Sequence, residues 1–484
     1  MKESEIDHPI IDKKVKKSLD FSIKDGAASS IASGFGFSYI APFAIAMNAT
    51  ASQIGLLNGL INILPTIARL KVSSMLEKFS AKKIVLTGVA IQIFIWVLFS
   101  LTIFGFYFNL PSMIWVVILL ASFLYMFGAF AYPAWFLWMG ALVPEDIRGR
   151  YFSKRNIVTG SCGLISMMAA ALFLDKMKFF GMIAGQTIFY TFLGFGTLFF
   201  LTIIFRVISF SYLKKIYEPT VKIRKRDYFS FWQFLKRARA TSFGRFALFK
   251  GFFSITIGVS SPFFELYLLR SLGLSYTWTI AIIVSGTFFQ LVFLPLLGKF
   301  SDRFGNAKLT KICAALVFVV PLLWVSSLLI KDSFLLKIYL LFVPAIVNGF
   351  AFAGYNLATS NYIYDAVRKE KRGFCSSYID IISGVSLFIG SMIGAIIAWR
   401  GISFMSPILF IFLISGVSGF FVFVFGAKYI KEVRPVKKFS SRFLIREFKP
   451  LHVIKDIGYI GHLFEEKILH KKLKRVNFDG EKFK

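Results

Sequence analysis

Long apolar runs, broken by short charged or glycine-bearing turns, follow one another from about residue 27 to about residue 428. The runs show neither the 3.6-residue period of a helix with one wet face nor strand alternation, so each element meets lipid or another helix on every side. Each is long enough to cross a bilayer core, which takes about 20 helical residues. They predict helices near 27–48, 53–72, 83–106, 111–141, 153–174 and 181–209, then near 245–270, 275–298, 307–330, 333–365, 375–398 and 402–428. Twelve is an even count, so both termini lie on one side. The expected outer loops are very short, and the inner ones are longer and basic. Residues 1–25 are charged and hold no apolar stretch of their own, so no cleavable leader is expected.

One turn organises the rest. Gly298-Lys299-Phe300-Ser301-Asp302-Arg303-Phe304-Gly305-Asn306-Ala307-Lys308 joins two spanning runs, and Phe304-Gly305-Asn306 reads as a tight turn that needs a positive φ. Its counterpart lies in the first half at Ser73–Lys83, where Glu77-Lys78-Phe79 recurs 225 positions on as Asp302-Arg303-Phe304. Arg148-Gly149 and Gly160 recur 224 positions on as Arg372-Gly373 and Gly384, and Pro42-Phe43 recurs 220 on as Pro262-Phe263. Landmarks in the same order at nearly one offset mark an internal duplication.

The turn resembles the signature loop between the second and third helices of each half of a major facilitator superfamily transporter. Gly298, Asp302, Arg303 and Gly305 match that pattern; Asn306 and Ala307 stand where it has basic residues. In the first copy Glu77 stands for the acid, and Ser73 and Ser80 replace the glycines. The resemblance implies an all-α membrane protein of twelve transmembrane helices in two pseudo-symmetric six-helix bundles, with the repeats related by an axis along the membrane normal. The expected organisation is a cytoplasmic segment 1–25, a bundle 26–210, a cytoplasmic linker 211–244, a bundle 245–429 and a basic tail 430–484. It also implies a secondary active transporter of the cell membrane, both termini cytoplasmic, working as a monomer. By alternating access it would carry a small organic, amphipathic or weakly charged solute, coupled to an ion such as H+, as exporter or importer.

Composition narrows the alternatives. Of 484 residues 56% are hydrophobic and 18% aromatic, above the usual apolar share of a soluble chain. The net charge of +32 suggests nucleic acid until its distribution is considered. With a cytoplasmic N-terminus, only Lys176, Lys178, Arg270, Lys331, Lys337 and Arg400 of the 57 basic residues fall on outer loops. That is the positive-inside bias, and the partner it implies is anionic lipid head groups rather than nucleic acid. The three cysteines are too far apart for a zinc site or disulfide framework, so no metal and no cofactor are expected. All four histidines lie in the terminal segments and no P-loop occurs, so an enzyme is not expected and the energy source is an ion gradient. A channel or lipid scramblase on the same scaffold is the alternative.

In this family the cavity is lined mainly by the first, fourth, seventh and tenth helices. The resemblance therefore nominates Ser38, Tyr39, Tyr125, Tyr132, Trp135, Tyr355 and Asn356 as cavity candidates, and Pro42 and Pro262 as helix bends, since proline removes a backbone bond. Asn58 and Asn62 are read as helix-to-helix bonds. The seventh helix carries Lys250 and Glu265, and a charge at the bilayer centre costs about 2.5–3.5 kcal/mol. Two readings stand for each: a charge at the membrane surface, or an ion-coupling group. The inner loops supply gate candidates: Glu77, Lys78, Arg148, Arg150, Gly298, Asp302, Arg303, Gly305, Arg372 and Asp380. Two surface stretches are also legible, one mixing basic and aromatic residues at 227–237 and one at Leu451–Arg475.

Overall fold

The computed structural model describes residues 13–108, 110–144, 147–219, 231–368, 371–401 and 405–436. The termini, linker residues 220–230, the histidines and Leu451–Arg475 lie outside the described residues. Within them the first six spans are α1 (Lys13–Ala46), α2 (Ala51–Leu76), α3 (Ala81–Tyr107), α4 (Met113–Leu142), α5 (Arg148–Ile183) and α6 (Thr187–Lys215). The second six are α7 (Ser242–Ser271), α8 (Tyr276–Phe304), α9 (Asn306–Leu329), α10 (Ser333–Ala366), α11 (Arg372–Arg400) and α12 (Pro407–Tyr429). Each is long and apolar enough to cross a membrane, and no strand occurs among the described residues. A short helix, Phe231–Arg237, precedes α7.

The polar interruptions between runs begin helices because their side chains accept the free amides of a first turn. Thr50 and Gln53 form a reciprocal capping box at α2, and Ser80, Thr241, Ser275 and Asp332 cap α3, α7, α8 and α10. Gly305, at φ 95°, takes the positive φ expected of the turn between α8 and α9. Pro42 and Pro262 sit beside interruptions. A tight turn over Phe37–Tyr39 precedes Ile40–Ala46 in α1, and α7 pauses at Ser261-Pro262 before Phe263–Leu266. Each proline removes an amide and pushes on the carbonyl four residues earlier.

Side chains repeat as well as landmarks. Arg148 donates to the Gly140 and Val143 carbonyls at the end of α4; Arg372, 224 positions on, donates to Tyr364 and Val367 at the end of α10. Glu218 accepts from the Lys82 amide in the first turn of α3, and Glu432 accepts from the Ala307 amide in the first turn of α9. Trp138 Nε1 donates to the Tyr217 carbonyl, and Tyr362 Oη to that of Lys431. In both halves the segment leaving the sixth helix is thus tied to the start of the third and the end of the fourth. Bare glycines let the first and fifth helices of each half touch. A Cβ on Gly34 would lie 2.8 Å from the Gly163 carbonyl oxygen, and one on Gly258 2.6 Å from that of Leu387.

The largest departures from the expected helix limits are in α1 and α5. α1 is already helical from Lys13, the first described residue, rather than from near 27: Ser18, Ser22 and Asp25 are buried against α4, α5, α6 and the segment that follows α6, with their polar atoms satisfied there. Hydropathy alone places such residues outside the membrane. α5 runs to Ile183 rather than ending near 174, carrying Asp175, Lys176 and Lys178 into its last turns.

Between the halves α2 lies along α11, and α5 meets α8. One face of α2 is small or amide-bearing. Gly55 meets Ala395, Gly59 meets Phe388 and Met392, Thr66 meets Gly384, and Asn58 Oδ1 accepts from Ser391 Oγ at 3.3 Å. Asn62 donates to the Asn58 carbonyl at 2.7 Å. Helices approach this closely only where side chains are short.

Candidate solute cavity

A cavity of about 480 Å3 lies between the halves. Ser33 and Ser38 of α1, Asn58 of α2, Tyr125 of α4, Ser261 and Glu265 of α7 and Asn348 of α10 supply its polar surface. Phe37, Phe264, Trp324 and several isoleucines supply the apolar walls. It is an apolar hollow with a few convergent polar groups and one carboxylate, which is the usual make-up of a small-molecule site. The bends in α1 and α7 put Ser38 and Glu265 there: Ser38 lies in the tight turn before Pro42, and Glu265 one turn beyond the pause at Ser261-Pro262. No hydrogen bond or ion pair joins Glu265 to another described residue.

The halves meet at the face away from the termini, here the far face. The Asp175 carboxylate, two turns before the end of α5, accepts from the Tyr276 amide at 2.9 Å and the Thr277 amide at 2.8 Å, capping the first turn of α8. Arg270, at the end of α7, donates to the Ala49 carbonyl at 2.7 Å and to that of Ile45 at 3.2 Å in the turn after α1. That turn is held by Asn48 at φ 59°. At the terminal face the ion pairs between described residues stay within one half: Lys24–Asp20, Arg155–Asp25 and Arg434–Asp365. The two halves are thus joined at the far face.

Of the cavity candidates, Ser38 and Tyr125 line the hollow. Tyr39 turns away: it is fully buried and donates to the Met167 carbonyl of α5 at 2.6 Å. Tyr355 is buried against Phe253. Tyr132 is 60% exposed and stacks on Trp135, which lies under the Arg155 guanidinium at 4.3 Å. Asn356 is exposed. These last four belong to the terminal half of their helices. Of the ion-coupling candidates, Glu265 faces the cavity. Lys250 is half the length of α7 nearer the terminal face, within electrostatic reach of Asp380. Asp380 also feels Arg69 of α2, which couples the two halves.

The gate residues divide. Glu77, Lys78, Arg150, Asp302 and Arg303 are exposed, and Gly298 has open space where a Cβ would stand. Arg148 and Arg372 cap helices of their own halves. Gly305 is packed on Glu432, in a network that also joins Ser301, Asn306, Asp365 and Arg434.

Sequence reasoning missed a buried polar cluster in the first half. Ser209 Oγ donates to Asp25 Oδ1 at 2.6 Å, and Arg155 stands 3.9 Å from the other carboxylate oxygen. Arg206 donates to Ser29 Oγ at 2.6 Å and to Gln92 Oε1, and Gln92 donates to the Leu124 carbonyl at 2.7 Å. Arg155 and Arg206, counted above among the inner basic residues, stand inside the first bundle. The signal that could have found them is the repeat: Asp25 and Lys250 are 225 positions apart, as are Arg155 and Asp380. The first and fifth helices of each half carry an opposite-charge couple, with its polarity reversed.

A family model described as Major Facilitator Superfamily matches residues 26–336 and 246–464. No curated protein matches by sequence. Solved structures share the fold at low identity. One is a mutant of the nucleoside transporter NupG (15% identity, 85% of this chain and 100% of that one, TM-score 0.62). Another is a bacterial homologue of the human lysosomal transporter Spinster, inward-facing and unoccupied (13%, 87% and 98%, 0.61). A third is a bacterial homologue of the iron transporter ferroportin, inward-facing (13%, 86% and 98%, 0.61). With its twelve spans, its repeated halves and the cavity between them, the chain belongs to the major facilitator superfamily of membrane transporters.

Proposed function

We propose that this chain is a secondary active transporter of the cell membrane, with cytoplasmic termini, closed here toward the outside. It moves a small organic solute that is amphipathic and either neutral or cationic, by rocking one six-helix half against the other. The observation that carries the reading is Glu265: one carboxylate in an otherwise uncharged cavity wall, with no partner among the described residues. A charge held at that depth is costly. A proton or the cationic group of a solute removes the cost, so one site can serve coupling and recognition. Aromatic faces at Phe37, Tyr125 and Trp324 suit a planar or cationic group. A multiply charged anion would need arginines or lysines in the wall, and the cavity lining has none.

Proteoliposomes loaded with a panel of neutral, cationic and anionic solutes, with and without a pH gradient, test this. Parent protein is expected to give saturable flux of neutral or cationic solutes that responds to the gradient, and Glu265→Gln to lose that response. An equal response in both would remove Glu265 from coupling. Flux that does not saturate would indicate a channel or scramblase instead.

A further inference from the structure

A second hollow, of about 600 Å3, opens on the outer wall of the second half between α7 and α12. Arg239 and Arg245 stand at its terminal end with Tyr429; Phe252, Phe421 and Phe425 line the rest. These three rings are 60%, 52% and 64% exposed, so this face looks into the hydrocarbon rather than into the bundle. The two ends differ in chemistry. Arg245 is in the first turn of α7, Arg239 in the turn before it, and Tyr429 in the last turn of α12, so all three stand where the chain enters or leaves the membrane. Phe252 lies seven residues deeper than Arg245, about 10 Å along a helix axis. The floor is tight: a Cβ on Gly426 would come within 2.6 Å of the Phe249 ring.

Neither guanidinium forms an ion pair with a described residue, and Arg245 Nε is buried without a hydrogen-bond partner. Of the nearby carboxylates, Asp365 is engaged by Asn306 and Arg434, and Glu432 accepts the Ala307 amide through Oε2, its Oε1 being buried without a hydrogen-bond partner. Two cations at head-group depth above an aromatic, lipid-facing trough are complementary to one occupant, an anionic phospholipid. We infer that this groove binds such a lipid, its phosphate on Arg239 and Arg245 and one acyl chain along Phe252, Phe421 and Phe425. The lipid ties α7, which carries Glu265, to α12. The site is separate from the cavity, so its failure leaves the transport reading standing.

Native mass spectrometry of the purified full chain tests it, with phosphatidylglycerol, phosphatidylcholine and soluble glycerol phosphate as probes. Phosphatidylglycerol is expected to bind the parent more tightly than phosphatidylcholine. Replacing both arginines (Arg239→Gln with Arg245→Gln) should weaken it roughly thirtyfold, two charges at the membrane surface. The pair Lys16→Gln with Lys215→Gln, exposed at the same face of the first half, should bind as the parent does. Equal binding of the two lipids, an unchanged arginine double variant, an equal loss in the lysine control, or displacement of the lipid by glycerol phosphate at equal concentration would each overturn the site. A photo-reactive benzoylphenylalanine in place of Phe425, in otherwise parent protein, provides a readout that does not need the arginine variants to fold. A phospholipid adduct is expected; capture of the chain's own residues 437–484 would assign the groove to the tail and overturn the proposal.

Discussion

Asp175 closes the far face, and removing its carboxylate should open it. Its two oxygens accept from consecutive amides, Tyr276 at 2.9 Å and Thr277 at 2.8 Å. Both are first-turn donors of α8 with no helical partner, and the carboxylate also sits at the positive end of the α8 dipole. A hydrogen bond to a charged group is worth about 1.5–3 kcal/mol net, and the dipole adds about 0.3–1 kcal/mol. The site is half-buried, and when α5 and α8 part, water hydrates the amides and the carboxylate again. The two bonds and the dipole sum to about 3.3 kcal/mol at the lower end, and this rehydration leaves a difference between the two states of about 2 kcal/mol. Since 1.4 kcal/mol is tenfold in an equilibrium, Asp175→Ala should raise the far-side-open population about thirtyfold. Asp175→Asn keeps one acceptor and should raise it about fivefold. The assay is labelling of a cysteine at Ser261, which lines the cavity, in a chain whose Cys162, Cys313 and Cys375 are replaced. A membrane-impermeant maleimide is added at the far face of sealed vesicles, where its rate follows the open population. Rates indistinguishable among parent, Asn and Ala variants, with melting temperatures also unchanged, would refute the assignment of Asp175 as a latch.

Other outcomes follow from the same structure. Asp25 is 4% exposed and faces two arginines, so Asp25→Ala leaves buried positive charge uncompensated and should cost about 3–5 kcal/mol, read as a lowered melting temperature. Adding Arg155→Gln should recover part of that loss; no recovery would mean the pair is not coupled. A Cβ at Gly390 would stand 2.1 Å from the Ile255 carbonyl oxygen of α7, a backbone atom that cannot turn aside, so Gly390→Ala should lose about 1–3 kcal/mol or more. Gly160 has nothing within 4 Å of that position, and Gly160→Ala should gain about 0.5–1 kcal/mol of helix stability by the same measurement.

Part of the candidate site was legible and part was not. Ser38, Tyr125, Pro262 and Glu265 can be picked from sequence because each is a polar or bend-forming residue in the middle of an apolar run, where it needs a reason to be. Tyr39 and Tyr355 carry the same signal and answer to a different cause: each packs on a helix or ring of its own half. Sequence position does not say which way a ring turns. Arg148 and Arg372 were legible as a repeated pair, and the structure gives both the same task at the ends of α4 and α10. The charge-reversed couples, Asp25 with Arg155 and Lys250 with Asp380, were present in the repeat but hidden by hydropathy. A charged residue lowers the apolar score of its window whether it is solvated or matched inside a bundle.

The order of apolar runs, turns and repeated landmarks by itself determines twelve spans and a duplicated architecture. Those depend on local hydrophobicity and on which residues can start, stop or bend a helix, all of which are read along the chain. Tertiary structure alone decides which face is closed, which polar groups meet in the cavity, and that Asp175 reaches the start of α8. Such contacts join residues about a hundred or more positions apart, and their partners are set by how helix faces pack. Glycines such as Gly55 and Gly390 permit that packing through the side chains they lack.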